Sequence, residues 1–271
     1  MRVAILVPGL PRFCREFDLF IEALEPGHDY DWYFYLWQGT PQTDQEREQE
    51  RAQGGGDAHT QKFNLIHPRF YNWQPEDLEP YIAQRLPPKH RIQALAQGDH
   101  RAVVMPNFGS NRAQEISIMN TVKNWTSLKR CWNLLAGTGR DYDLVIRART
   151  DIALNAPLDL LSASRQVKQN FNTVFISNNN QCGHGVLIND WYALTSLQNM
   201  SHYVCVIDRC EDYVQRGVIF HPETMLAYHL AQGGLRWQSG PVGLRLRELG
   251  TWQGEPYQPG SVYTSDWGRW H

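Results

Sequence analysis

The chain has 271 residues, of which 20% are charged and 42% hydrophobic, with a formal net charge of −2. That length suits one large α/β domain or two small ones; near-neutral charge argues against bulk electrostatic binding to nucleic acid, while leaving room for a local arginine cluster aimed at a small phosphate ligand. A mean hydropathy of −0.52, with no long apolar run, excludes a transmembrane helix.

Residues 2–8 are rich in β-formers and run into Pro8-Gly9, which predicts a buried first strand entering a turn; the apolar stretch is too short for a signal peptide. Phe13, Phe17, Phe20, Ile21 and Leu24 then recur at helical spacing until Pro26-Gly27 stops them. Asp31 to Trp37 reads as a second, aromatic strand, and strand, helix, strand with short joins opens a doubly wound α/β sheet. Residues 38–62 are polar and of low complexity, which predicts a mobile loop. A third strand is expected near Phe63–Tyr71, and the proline-bearing stretch 85–110 is expected to be irregular and mobile. Asn111 with Gln114 resembles a capping box. It opens a long helix whose apolar face runs through Ile116, Met119, Val122, Trp125, Leu128, Trp132 and Leu135 to Gly137. Leu144-Val145-Ile146 predicts a central strand, with two shorter strands at Val174-Phe175-Ile176 and Gly185 to Ile188. Helices are expected near 190–201 and 203–215, and His221-Pro222-Glu223 opens a last one that ends at Gly233-Gly234. No repeat or linker interrupts the pattern, so a single domain over residues 1–271 is expected.

Five cysteines, Cys14, Cys131, Cys182, Cys205 and Cys210, are an odd number without metal-ligand spacing, which fits a reduced, cytoplasmic protein. The sequons at Asn124 and Asn199 then carry no glycan. Ten tryptophans fit either packing or flat platforms for sugar rings, and composition does not choose between them.

The chemistry gathers at Arg147-Ala-Arg149-Thr-Asp151, the carboxyl end of the predicted central strand, where open α/β sheets bind ligands. Alternation along a strand would put Arg147, Arg149 and Asp151 on one face. Unpaired charges are too costly for an apolar core, so the three form an ion-pair ladder or face a polar cleft. In a cleft, arginines meet phosphate oxygens, and the carboxylate meets a cation or a sugar hydroxyl. Pro8-Gly9-Leu10-Pro11-Arg12 lacks both the dinucleotide and the P-loop fingerprints; it is an ordinary strand-to-helix turn, or it closes over a nucleotide with Arg12 near phosphate. Cys182-Gly-His184-Gly185 resembles a nucleophile loop without an assignable base. His221 and His229 do not have the spacing of a helical metal pair. Asp190 and Glu223 both fall in first turns of predicted helices, where a carboxylate is favourable in any case.

The tract from Asp141 to Ile152 resembles the strand segment of GT-A-type glycosyltransferases, especially bacterial ones that build lipopolysaccharide and other surface polysaccharides. Other pieces follow in the same order over residues 3–235: the Val-Pro-Gly-Leu-Pro-Arg12 opening, the Asp31 to Trp37 strand, the helix from Met119 through Lys129, the Asp190 to Met200 segment, and the His221 to Leu230 helix. The resemblance implies a GT-A-like, Rossmann-like fold, with a mixed, mainly parallel sheet flanked by helices. It implies transfer of a sugar from a nucleoside-diphosphate sugar to a hydroxyl of a glycan or lipid-linked saccharide. Its metal motif is Asp-x-Asp, but here Arg149 stands at the first position. Asp151 alone could hold Mg²⁺ or Mn²⁺ with diphosphate oxygens, or Arg149 could supply the positive charge itself. Thr195 stands where the family has a glycine.

On that reading Pro8, Gly9, Arg12, Arg147, Arg149 and Asp151 bind the donor, and Asp190 and Glu223 serve as general base or acceptor ligands, with Asp190 slightly preferred as base. A nucleotidyltransferase acting on sugar phosphates, or a non-catalytic carbohydrate-binding protein, are the rival classes; the first lacks its glycine-rich opening loop here, and the second does not need the charged strand end.

Overall fold

The computed structural model describes residues 1–13, 15–38, 73–99, 102–108, 115–176, 182–183, 186–240 and 244–246. The elements, in chain order, are β1 (Arg2–Gly9), α1 (Arg15–Glu22), β2 (Asp29–Gln38), α2 (Pro75–Ala83), β3 (His90–Asp99), α3 (Glu115–Ala136), β4 (Leu144–Arg147), β5 (Ile152–Leu154) and α4 (Leu160–Gln169). They continue with β6 (Thr173–Ile176), β7 (Cys182–Gly183), β8 (Val186–Leu187), β9 (Ala193–Thr195), α5 (Leu197–Tyr203), α6 (Val206–Gln215), α7 (Pro222–Gln232), β10 (Arg236–Ser239) and β11 (Leu244–Leu246).

Seven strands form one sheet in the order β10-β6-β9-β4-β1-β2-β3. Every neighbouring pair is parallel except those made by β9, which runs antiparallel between β4 and β6. This is an α/β fold with a mixed, mostly parallel sheet, as expected. Side-chain alternation sorts the strands between two apolar layers. Val3, Ile5 and Val7 of β1 join Trp32 and Phe34 of β2 in a core that includes residues of α1, α2 and α4. Ala4, Leu6, Tyr33 and Val145 face the opposite way, toward Leu128, Cys131 and Leu135 of α3 and toward α5 and α7. A third cluster joins α3, α6 and α7 through Val122, Trp125, Cys210 and Met225.

Two expectations are corrected. The stretch 85–110 is not irregular throughout: His90–Asp99 is a ten-residue edge strand paired along β2. Its alanines and glutamines are weak β-formers, so pairing rather than propensity makes it a strand. The register shifts between Trp32 and Tyr33, leaving Gln93 as an extra residue whose amide donates to Asp31 (2.9 Å). Gly98 is required further along, because a Cβ there would lie 2.5 Å from the Tyr35 hydroxyl.

The second correction is the helix expected near 190–201. Ala193–Thr195 is strand β9, and α5 starts only at Leu197, with the Ser196 hydroxyl accepting from Asn199 N. A short strand buried on both faces has no alternation to distinguish it from a helix segment. The helix expected over 203–215 is α6, from Val206. Of the loop expected over 38–62, Gln38 is the last residue of β2 and 39–62 lie outside the described residues, as do the strand near 63–71 and the Asn111–Gln114 cap.

Asp31 sits near the amino end of the sheet, 3% exposed. It accepts from Tyr142 Oη (2.9 Å), Gln93 Nε2 (2.9 Å) and Arg140 Nη1 (3.2 Å). A buried carboxylate with three donors is a satisfied structural group, at the end of the sheet away from the strand-end arginines.

Candidate functional site

Parallel strands β1 and β4 end side by side, with Leu6 opposite Arg147. Pro8 has no N–H to give a ladder, and it lies beyond the last β1–β4 pair, where that donor is not needed. Gly9 follows at φ +108, a conformation that glycine adopts without a Cβ penalty. The chain then turns back on itself, and Thr150 ties this turn to the one after β4. Its hydroxyl donates to Leu10 O (2.8 Å) and accepts from Arg12 N (3.1 Å).

That junction places Arg12 and Arg149 on one carboxylate. Asp151 is 1% exposed; its Oδ2 accepts from Arg12 Nη1 (3.0 Å) and Arg149 Nη2 (2.9 Å), and its Oδ1 accepts from Arg149 Nε (2.8 Å). Arg149 thus grips Asp151 with a bidentate fork, the stronger and more directional form of ion pair. A divalent cation needs several hard oxygen ligands. Both oxygens of Asp151 already serve guanidiniums, and no group of three or more His, Cys, Asp or Glu side chains that could hold a metal ion occurs among the described residues. Asp151 in this arrangement does not fit a divalent cation; the fixed positive charge beside it comes from Arg12 and Arg149.

Arg147 does not share their cluster, contrary to the alternation expected along the tract. β4 ends at Arg147, so the period-two rule stops there. Its side chain lies on the same side of the sheet as Val145, toward α3. Arg147 is fully buried; Nη2 donates to Asn124 Oδ1 (3.3 Å), and Nε and Nη1 have no hydrogen-bond partner among the described residues. Burial works against its charge, and Tyr203 and Asp190 partly restore it. Asn124 in turn donates from Nδ2 to Asp190 Oδ2 (2.7 Å).

Asp190 therefore sits in the approach to β9, not in the first turn of a helix, and its partner is a side-chain amide. Glu223 is in the first turn of α7, as expected, at 6% exposure. Burial first, and then the like charge of Asp190, push its carboxyl up to about 7. His221 Nδ1 stands 3.3 Å from Glu223 Oε2 and is one-third exposed, at the open side of the group. The Tyr203 phenol, also buried, has no hydrogen-bond partner for its oxygen among the described residues, and the charges of Arg147, Asp190 and Glu223 all bear on it.

Two groups of side chains thus converge at this end of the sheet. Arg12, Arg149 and Asp151 form one; Arg147, Asn124, Asp190, Tyr203 and Glu223 form the other. Sequence reasoning missed Asn124 and Tyr203, which lie inside helices whose apolar periodicity hides a polar residue turned inward. His229 is not part of the site: it stacks on His202 at 4.2 Å, its Nε2 donates to His202 O (2.8 Å), and its Nδ1 hydrogen-bonds the Tyr213 hydroxyl (2.8 Å). His184 and Gly185 of the loop beginning at Cys182 are outside the described residues, as is the Cys182 side chain. Trp32, Trp37, Trp73, Trp125 and Trp237 are buried and pack in or beside the cores rather than offering platforms. No helix among the described residues is long and apolar enough to cross a membrane. Compared with known proteins, the chain matches no family model, and no curated protein matches it significantly.

Proposed function

We propose that this chain is a glycosyltransferase that moves a sugar from a nucleoside-diphosphate donor to a hydroxyl of a glycan or lipid-linked saccharide. One observation carries the reading: a buried Asp190–Glu223 pair with Glu223 raised to about 7 stands at the same strand ends as the arginines held by Asp151. The segments whose resemblance suggested the family lie far apart in sequence, and their polar residues fall into two groups at this end of the sheet, Arg12, Arg149 and Asp151 in one and Asp190 with Glu223 in the other. Transfer breaks the bond from the anomeric carbon to a phosphate oxygen, so negative charge builds on the leaving diphosphate. Arg12 and Arg149 supply fixed positive charge for it, and Asp151 orients both guanidiniums. The acceptor oxygen forms the new bond as its proton passes to a base.

Glu223 is the better base of the two carboxylates, reversing the slight preference for Asp190 read from the sequence alone. A base works best with a pKa near the operating pH, and burial beside a second carboxylate brings Glu223 there. Asp190, held by the Asn124 amide, is its electrostatic partner. The deciding experiment is a turnover screen over UDP- and GDP-sugars, with CMP-sugars as monophosphate controls, with and without Mn²⁺, together with calorimetry on the free nucleotides. Turnover of one donor without Mn²⁺ supports the arginine assignment. Failure of every nucleotide to bind removes the reading and favours a carbohydrate-binding protein.

A further inference from the structure

Arg147 and Tyr203 are both buried, and between them they leave two guanidinium nitrogens and one phenol oxygen without a hydrogen-bond partner among the described residues. Native interiors rarely leave such groups unmade, since each costs about 1–3 kcal/mol. They stand among two carboxylates and an amide already joined to one of them, Asp190, Glu223 and Asn124. This set offers strong donors and strong acceptors side by side, and that mixture selects the ligand. A carboxylate or phosphate would satisfy Arg147 but would meet two acidic groups at close range. A hydroxyl both donates and accepts, so adjacent hydroxyls on a ring can take a proton from Arg147 or Tyr203 while giving one to Asp190 or Glu223.

We infer that Arg147, Asn124, Asp190, Tyr203 and Glu223 form a subsite for a neutral sugar, reading neighbouring hydroxyls and rejecting a sugar that brings a carboxylate. The inference rests on the glycosyl-transfer reading and narrows its acceptor, since Glu223 is the base in that reading. His221, one-third exposed beside Glu223, is the member of the neighbourhood nearest solvent, so on this inference a ring approaches from its side.

The test is saturation-transfer NMR on the whole chain, saturated with the nucleotide that the turnover screen selects. The probes are methyl glycosides of glucose, galactose and mannose, each against its uronate. At pH 8 a neutral glycoside binds and its uronate binds roughly tenfold or more weakly, because like charges face each other. At pH 6, with Glu223 protonated, the gap narrows. Tyr203→Phe removes only an unpaired hydroxyl, so it lowers neutral-glycoside affinity roughly three- to tenfold with an unchanged melting temperature. A uronate that binds as well as its neutral partner at pH 8, or a Tyr203→Phe protein with unaltered affinity, overturns the subsite while leaving glycosyl transfer standing. A chain that binds no nucleotide and no glycoside overturns both.

Discussion

Replacing Asp151 by Asn tests the strand-end ion pairs most directly. The carboxylate is 1% exposed and takes three charge-assisted hydrogen bonds, while the Arg12 and Arg149 side chains are 12% and 22% exposed. An exposed pair would cost only about 0–1 kcal/mol to lose, but breaking a buried one costs about 3–5 kcal/mol. Partial exposure of the arginines lets water recover some of that, so about 3 kcal/mol is expected. The amide also turns a donor toward a guanidinium N–H where an acceptor stood. For a chain of this size that is a fall in melting temperature of roughly 5 °C. Calorimetry of Asp151→Asn, Arg149→Met and the double variant gives the coupling, expected at about 1.5–3 kcal/mol. Transfer should fall with the loss of arginine orientation. A melting temperature within about 1 °C of wild type, with no coupling, would show that the ion pairs do not form in solution. Lost stability with normal turnover would leave Asp151 a purely structural residue.

Glu223→Gln should lower kcat by about 10²–10⁴-fold and abolish the limb of the pH–rate profile on which activity rises through about 7. The same carboxyl binds its proton more tightly folded than unfolded, so stability should fall as pH rises from about 4.5 to about 7. This slope, on the order of 2–3 kcal/mol in total, should flatten in Glu223→Gln when urea unfolding is measured across that range. His229 has the opposite sign: burial lowers it from 6.5 to about 4, so the folded state binds fewer protons and stability is lost as pH falls through that window. Urea unfolding of His229→Gln should show a shallower acid loss than wild type, by up to roughly 3 kcal/mol. Gly9→Ala, at φ +108, should cost about 1–2 kcal/mol by thermal melting and weaken nucleotide binding through the displaced Arg12 turn.

Much of this was legible before the fold was known, for reasons that particular residues make plain. β1, β2, β4, β6, α3 and α7 carry strong local signals, and in an α/β fold a polar tract that ends a buried strand belongs at the ligand edge. That is why Arg12, Arg147, Arg149, Asp151, Asp190 and Glu223 could be named together. Their partners could not be. Period-two alternation grouped Arg147 with Asp151 because it assumes that the strand continues, and the strand stops at Arg147. β3 was hidden because an edge strand of Ala and Gln is specified by the neighbour it pairs with. β9 was hidden because burial on both faces erases its period, and with it went the true setting of Asp190. Asn124 contacts Arg147 and Asp190 across 23 and 66 residues of chain, separations that local patterns do not encode.

The parting of the arginines at the end of β4 also bears on how one end of the sheet can hold both a strong cation cluster and a carboxyl raised to about 7. Were all three arginines gathered on Asp151, the Asp190–Glu223 pair would be left in a dry environment without a compensating cation, and the Glu223 carboxyl would be driven further toward the neutral form. Were Arg147 to grip Glu223 as Arg149 grips Asp151, that carboxyl would be held well below neutrality and lose its basicity. Arg147 instead reaches Asp190 through the Asn124 amide. One positive charge then supports the pair without neutralising Glu223, whose proton affinity is set by burial and by the neighbouring carboxylate. The Asn124 amide thus stands between the Arg147 guanidinium and the Asp190 carboxylate, and on the glycosyl-transfer reading that arrangement leaves Glu223 the proton affinity a base requires.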